Sequence, residues 1–194
     1  DITVVRSGNS LLFKHANGVD QVTVANWFAS SNYWLETVEF ADGTVWNSAA
    51  LTAAALVFSG TAGNDTITGT VMNDTLLGLA GNDTISAYSG TNIMDGGDGD
   101  DVITGTADYY NWSANTLLGG AGNDTLSVDV NYTDNNVFDG GTGTDSMSGG
   151  RYRDTYRFNL GGGLDTVIEP SGVAAGYNDK LIFGAGIAPT DITV

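Results

Sequence analysis

Five aspartates recur in one setting. Asp65, Asp83, Asp101, Asp124 and Asp145 each stand sixth in a nine-residue unit with glycine at its first and fourth places. The units are Gly60–Thr68 (GTAGNDTIT), Gly78–Ser86 (GLAGNDTIS), Gly96–Thr104 (GGDGDDVIT), Gly119–Ser127 (GGAGNDTLS) and Gly140–Ser148 (GGTGTDSMS). Carboxylates stacked in a column repel one another. A hard divalent cation between them turns repulsion into ligation, and Ca2+ takes about six to eight oxygens from carboxylates and backbone carbonyls. The loop residues expected to complete such sites are Gly63, then Gly78, Ala80 and Gly81, then Gly96, Gly97, Asp98 and Gly99. Gly119, Gly120, Ala121 and Gly122 follow, then Gly141 and Gly143. Asp165, in Gly161–Asp165 (GGGLD), is placed to close a further site.

The elements that must hold these aspartates follow from the same period. Glycine admits the positive φ of tight loops, so the first six residues of each unit read as loop and the last three as a short strand. One large apolar residue per unit points inward: Ile67, Leu76, Ile85, Met94, Ile103, Leu117, Leu126, Phe138, Met147 and Tyr156. A nine-residue unit cannot bury that side chain alone and must stack on its neighbours. The expected fold is all-β, a right-handed parallel β-roll with two units per turn. Loops two units apart then stack at about 4.8 Å.

Sorting the units by parity separates two edges. The odd units are the five quoted above. The even ones are Gly69–Leu77, Ala87–Asp95, Gly105–Leu118, Val128–Asp139 and Gly149–Arg157, and every one departs from the pattern. Met72 replaces a glycine, Asn92 and Asn115 stand where aspartate should, and the third and fourth units carry insertions. Five good loops leave four gaps, so four to five Ca2+ ions are expected, mainly on one edge.

Net charge is −17, with six basic residues and none between Lys14 and Arg151. That excludes a nucleic-acid or anionic-membrane surface on the repeats, since both need clustered cations. No cysteine is present, so disulfides and thiolate sites are absent. Leu51–Phe58 is too short to span a bilayer, and no membrane insertion is expected. The single histidine is His15, and no nucleophile–base set or phosphate loop is in view, so no enzyme activity is expected. Tyr88, Tyr109, Tyr110, Trp112 and Tyr132 fall in even loops. They either pack to cover a metal-poor edge or form an aromatic strip suited to a glycan.

The flanks lack the beat. Residues 1–58 read as short strands (Ile2–Val5, Leu11–His15, Val19–Val24, Leu35–Phe40, Thr44–Trp46) around an aromatic core of Trp27, Phe28, Tyr33, Trp34, Phe40 and Trp46. Asn17-Gly18 and Asp42-Gly43 mark hairpin turns, and Asn47 or Ser48 caps a short helix over Ala49–Val57. Residues 59–157 form the roll. Residues 158–194 break the beat and serve as a cap ending in strand Lys180–Phe183. The chain opens and closes on DITV (Asp1–Val4, Asp191–Val194), as one unit of a longer array would.

Gly60–Arg157 resembles the haemolysin-type calcium-binding repeats of RTX exoproteins. Val22–Trp46, with its NWF and LETVEFADGTVW wording, resembles the related non-repeat domain that accompanies them. The resemblance implies a bacterial, secreted protein that leaves by a type I channel and folds outside the cell on meeting calcium. Its partners would be calcium and neighbouring modules of the same polypeptide.

Overall fold

The computed structural model describes residues 2–106, 114–129, 135–170 and 178–193. They divide into two compact units, Asp1–Val57 and Phe58–Val194.

The first unit is a small β-rich body with one helix. Strands β1 (Ile2–Ser7), β2 (Ser10–His15) and β3 (Gln21–Val24) form an antiparallel sheet. The β2–β3 turn is set by Asn17, whose Oδ1 accepts from Val19 N–H and Asp20 N–H, and by Gly18 at φ 75°. Strands β4 (Thr37–Glu39) and β5 (Val45–Asn47) pair across the Asp42-Gly43 turn. Helix α1 (Ser48–Ala54) starts where Asn47 Oδ1 accepts from Ala50 N–H at 2.8 Å. Trp27 is fully buried with Leu11, Phe13, Leu51 and Ala55, and its Nε1 donates to Thr52 Oγ1 at 3.0 Å. Trp34, Phe28 and Trp46 pack against that core, whereas Tyr33 and Phe40 do not join it, and Phe40 meets the Trp46 ring edge-on at 4.7 Å. Tyr33 lies in a short 3-10 turn capped by Ser30 and is 53 % exposed.

The second unit is a parallel β-roll. One sheet stacks β6 (Val57–Ser59), β8 (Thr75–Ala80), β10 (Ile93–Asp98), β12 (Thr116–Ala121), β14 (Asn136–Thr142), β16 (Asp154–Phe158) and β18 (Lys180–Phe183). The other stacks β7 (Thr66–Thr68), β9 (Thr84–Ala87), β11 (Val102–Gly105), β13 (Thr125–Val128), β15 (Ser146–Ser148) and β17 (Thr166–Ile168). Successive strands of each sheet are every second unit of the sequence, as in Ile67↔Ile85 and Leu76↔Met94. All ten inward apolar residues are buried in one core, with Phe138 and Tyr156 stacked at 5.0 Å. Each such side chain contributes about 1.5–3 kcal/mol by leaving water.

Two details differ from the expectation. The strands of the first sheet are six or seven residues long in β8, β10, β12 and β14, not three. They run on through the first three places of the following odd loop, where the backbones stay paired, as at Gly97↔Gly120 and Gly97↔Leu79. The beat also does not end at Arg157. Residues 160–168 make another odd loop and strand, with Asp165 in the column and Val167 opposite Met147. The wording hid it because Leu164 and Leu160 replace the usual polar and glycine places.

This last turn serves the one before it. Asp145 N–H donates to Asp165 Oδ1 at 3.2 Å, and Asp154 N–H donates to Asp179 Oδ1 at 2.9 Å. Truncation after Arg157 removes both acceptors and uncovers Met147 and Tyr156. The shortened chain is expected to need several-fold more calcium to fold and to fold less cooperatively. A calcium titration followed by circular dichroism checks this, and an unchanged midpoint would speak against a capping role.

Candidate metal centre

The odd aspartates form one continuous column. Asp65 N–H donates to Asp83 Oδ1 at 2.7 Å, Asp83 N–H to Asp101 Oδ1 at 2.7 Å, Asp101 N–H to Asp124 Oδ1 at 2.8 Å, and Asp124 N–H to Asp145 Oδ1 at 2.8 Å. The backbone carbonyl of each takes the next turn's strand, as in Asp101 O accepting from Thr125 N–H at 2.8 Å. Both backbone groups are thereby satisfied, and the side chains of Asp83, Asp101, Asp124 and Asp145 are each pinned by Oδ1.

The second carboxylate oxygen is the anomaly. Oδ2 of Asp83, Asp101, Asp124 and Asp145 is buried and has no hydrogen-bond partner. A buried unsatisfied carboxylate oxygen is costly. Burial, first of all, pushes the Asp124 carboxyl up to about 7, with the charges of Asp145 and Asp101 adding and the bond from Asp101 N–H opposing. Asp101 and Asp145 are raised for the same first reason. Four buried acceptors in line, with no donor, suit a cation.

The glycines make the room. A Cβ on Gly78 or Gly119 would collide with the loop's own Oδ2 and with the next turn's glycine carbonyl; on Gly96 it would stand 2.7 Å from Gly119 O. Carboxylate and carbonyl oxygens thus converge at each notch. The second and fourth places take positive φ: Gly97 98°, Gly120 107° and Gly141 94°, then Gly81 107°, Gly99 129°, Gly122 137° and Gly143 137°. Leu79 holds the same second-place turn at φ 83° without being glycine. The third-place carbonyls of Asp98 and Ala121 already accept from Gly81 N–H (2.8 Å) and Gly99 N–H (2.6 Å), which joins turn to turn. Ala80 lies at the end of β8 beside them, and Gly63 lies in the first loop, where Thr61 Oγ1 accepts from its N–H. Among the described residues, no three acidic or histidine side chains converge on one point, so each ion would take one or two aspartates and fill the rest with carbonyls.

Asp65 differs from the inner four. Thr61 N–H and Thr61 Oγ1 donate to its Oδ2 at 2.6 and 2.9 Å, so protein donors close the first step of the column. Thr61 escaped the sequence reading, as did Gly60 and Gly140. The signal for the two glycines was there, since they share the first place with Gly78, Gly96 and Gly119. Of the even-loop aromatics, Tyr88 is exposed, and Tyr109, Tyr110, Trp112 and Tyr132 lie outside the described residues. No helix among the described residues is long and apolar enough to cross a membrane.

The comparisons agree with this geometry. Residues 11–50 match the haemolysin-type calcium binding protein related domain. Four copies of the RTX calcium-binding nonapeptide repeat match residues 57–70, 68–103, 109–129 and 132–156. No curated protein and no solved structure gives a significant match. The column of buried, donor-less carboxylates thus lies within matched repeats, and the chain carries RTX calcium-binding nonapeptide repeats with a haemolysin-type calcium-binding-related domain ahead of them.

Proposed function

We propose that the roll is a calcium-folded, non-catalytic structural module of a secreted protein, with its ions in one file along the odd edge. The four orphaned Oδ2 atoms of Asp83, Asp101, Asp124 and Asp145 carry this reading. Calcium supplies positive charge and a large flexible coordination shell. The chain's own residues do the rest: each aspartate is aimed by its Oδ1 bond, each first-place glycine opens the notch, and each fourth-place glycine turns the loop. Asp165 would close a fifth step. Adjoining modules of the same polypeptide are the proposed partners.

Calorimetry with Ca2+ is the direct test, and about four to five ions per chain is the expected count. Replacing Asp101 with Asn is expected to lower calcium affinity at least about tenfold, or about 1.4 kcal/mol. Replacing Asp74 with Asn is expected to change it little, because Thr70 N–H and Thr70 Oγ1 already donate to Asp74 Oδ2. Equal losses in the two variants would refute the one-sided file.

A further inference from the structure

The even edge builds the same column with a different atom. Asp74 N–H donates to Asn92 Oδ1 (2.9 Å), Asn92 N–H to Asn115 Oδ1 (3.2 Å), Asn115 N–H to Asn136 Oδ1 (2.9 Å), and Asn136 N–H to Asp154 Oδ1 (3.2 Å). All of these side chains are buried. The Oδ1 bond is therefore the one made by the odd aspartates. It also fixes the amide orientation, since a reversed amide would set donor against backbone donor.

What changes is the other atom. Where Asp101 or Asp124 has an acceptor with nothing to accept from, Asn92 has an –NH2. Its Nδ2 donates to Asn115 Oδ1 at 2.9 Å and lies 3.3 Å from the carbonyl oxygens of Tyr88 and Gly90 in its own loop. Asn136 Nδ2 donates to Asp154 Oδ1 at 2.7 Å. Asn115 Nδ2 stands over Gly105, where a Cβ would meet it at 2.7 Å, and is itself buried without a hydrogen-bond partner, so Asn115 serves the seam through its Oδ1, which accepts from Asn92. The acidic ends are closed as well: Asp154 Oδ2 accepts from Gly150 N–H at 2.8 Å, and Asp74 Oδ2 from Thr70.

We propose that carboxamides replace calcium on this edge, with Asn92 and Asn136 donating their N–H groups and Asn115 accepting through its Oδ1, so that the edge closes without metal. Two oxygens facing each other need a cation between them; an N–H and an oxygen do not. The even edge is then a metal-independent seam along a roll whose opposite edge takes calcium. The calcium on that opposite edge is the reading proposed above, and the amide bonds stand without it.

Reciprocal exchange in the full chain tests the idea. Asn92→Asp with Asn115→Asp and Asn136→Asp is expected to raise the calcium count above that of the parent in calorimetry. Asp83→Asn with Asp101→Asn, Asp124→Asn and Asp145→Asn is expected to keep a β-sheet circular dichroism signal in chelator while losing calcium binding. If the first variant does not fold, the second decides alone. An unchanged count in a folded first variant, or loss of β signal in chelator by the second, would overturn the proposal. A parent that takes up no calcium would sink the calcium reading of the odd edge, while the second variant in chelator would still judge the amide seam.

Discussion

Chelator is expected to remove most of the roll's β-sheet signal, and roughly millimolar calcium, the range of extracellular calcium modules, to restore it. The chain carries 28 glycines and a net charge of −17, so its loops lose much entropy on ordering and its acidic edge opposes closure. Four buried carboxylate oxygens without donors add to that cost. Ions that bind only the folded loops return their binding free energy as folding free energy. The same carboxylates give the metal-free chain a pH dependence of fixed sign. Asp124 is raised to about 7, and Asp101, Asp145 and Asp154 are raised by burial. An unfolded aspartate titrates near about 3.9. Between these values the folded chain binds more protons than the unfolded one, so stability falls as pH rises through the window. In chelator, β structure is therefore expected to be greater at pH 5 than at pH 8. A signal unmoved by chelator, or one that grows with pH in its presence, would contradict this account.

Replacing Gly122 with Ala is expected to be among the most damaging single changes, costing at least about 3 kcal/mol. Gly122 sits at φ 137°, a conformation that side-chain-bearing residues rarely adopt, and an added Cβ would collide with Gly99 O of the preceding turn. The atoms met are backbone rather than the far end of a flexible side chain, so the neighbouring turn cannot give way cheaply. Gly63 holds the same fourth place in the first loop, yet its Cβ would meet only Thr61 Oγ1 at 3.9 Å. Gly63→Ala is expected to stay within about 1 kcal/mol. Urea unfolding of the two variants in saturating calcium compares them, and similar losses would mean that stacking is not what the glycines protect.

The roll was readable because its period is short and each unit repeats the same three demands: a turn, an aimed carboxylate and one apolar side chain. The inward residues from Ile67 to Tyr156 could be read off by counting, and all ten are buried. The last turn could not be read that way. Its strands are 20 and 25 residues beyond their predecessors in the two columns, and Leu164 sits where asparagine usually stands. Asn92 and Asn115 were legible as departures, but their effect was not, because a missing carboxylate and a gained donor look alike in sequence. Asn136 was hidden by the insertion before it. The threonine closures at Asp65 and Asp74 needed coordinates, since they depend on which oxygen of the carboxylate faces the loop.

The shared Oδ1 bond has a consequence for how such a chain could change or be rewritten. Every step of either column needs an acceptor in the sixth place, and aspartate and asparagine supply it at nearly the same distance, 2.8 Å from Asp101 and 2.9 Å from Asp74. The backbone trace is indifferent to the choice between them. On the proposed reading the two residues would act as a binary script along the inner steps, where no loop donor reaches Oδ2: aspartate would write an ion into the gap and asparagine would leave it blank. Single exchanges can move the dose of calcium a roll requires, step by step, without redrawing its shape.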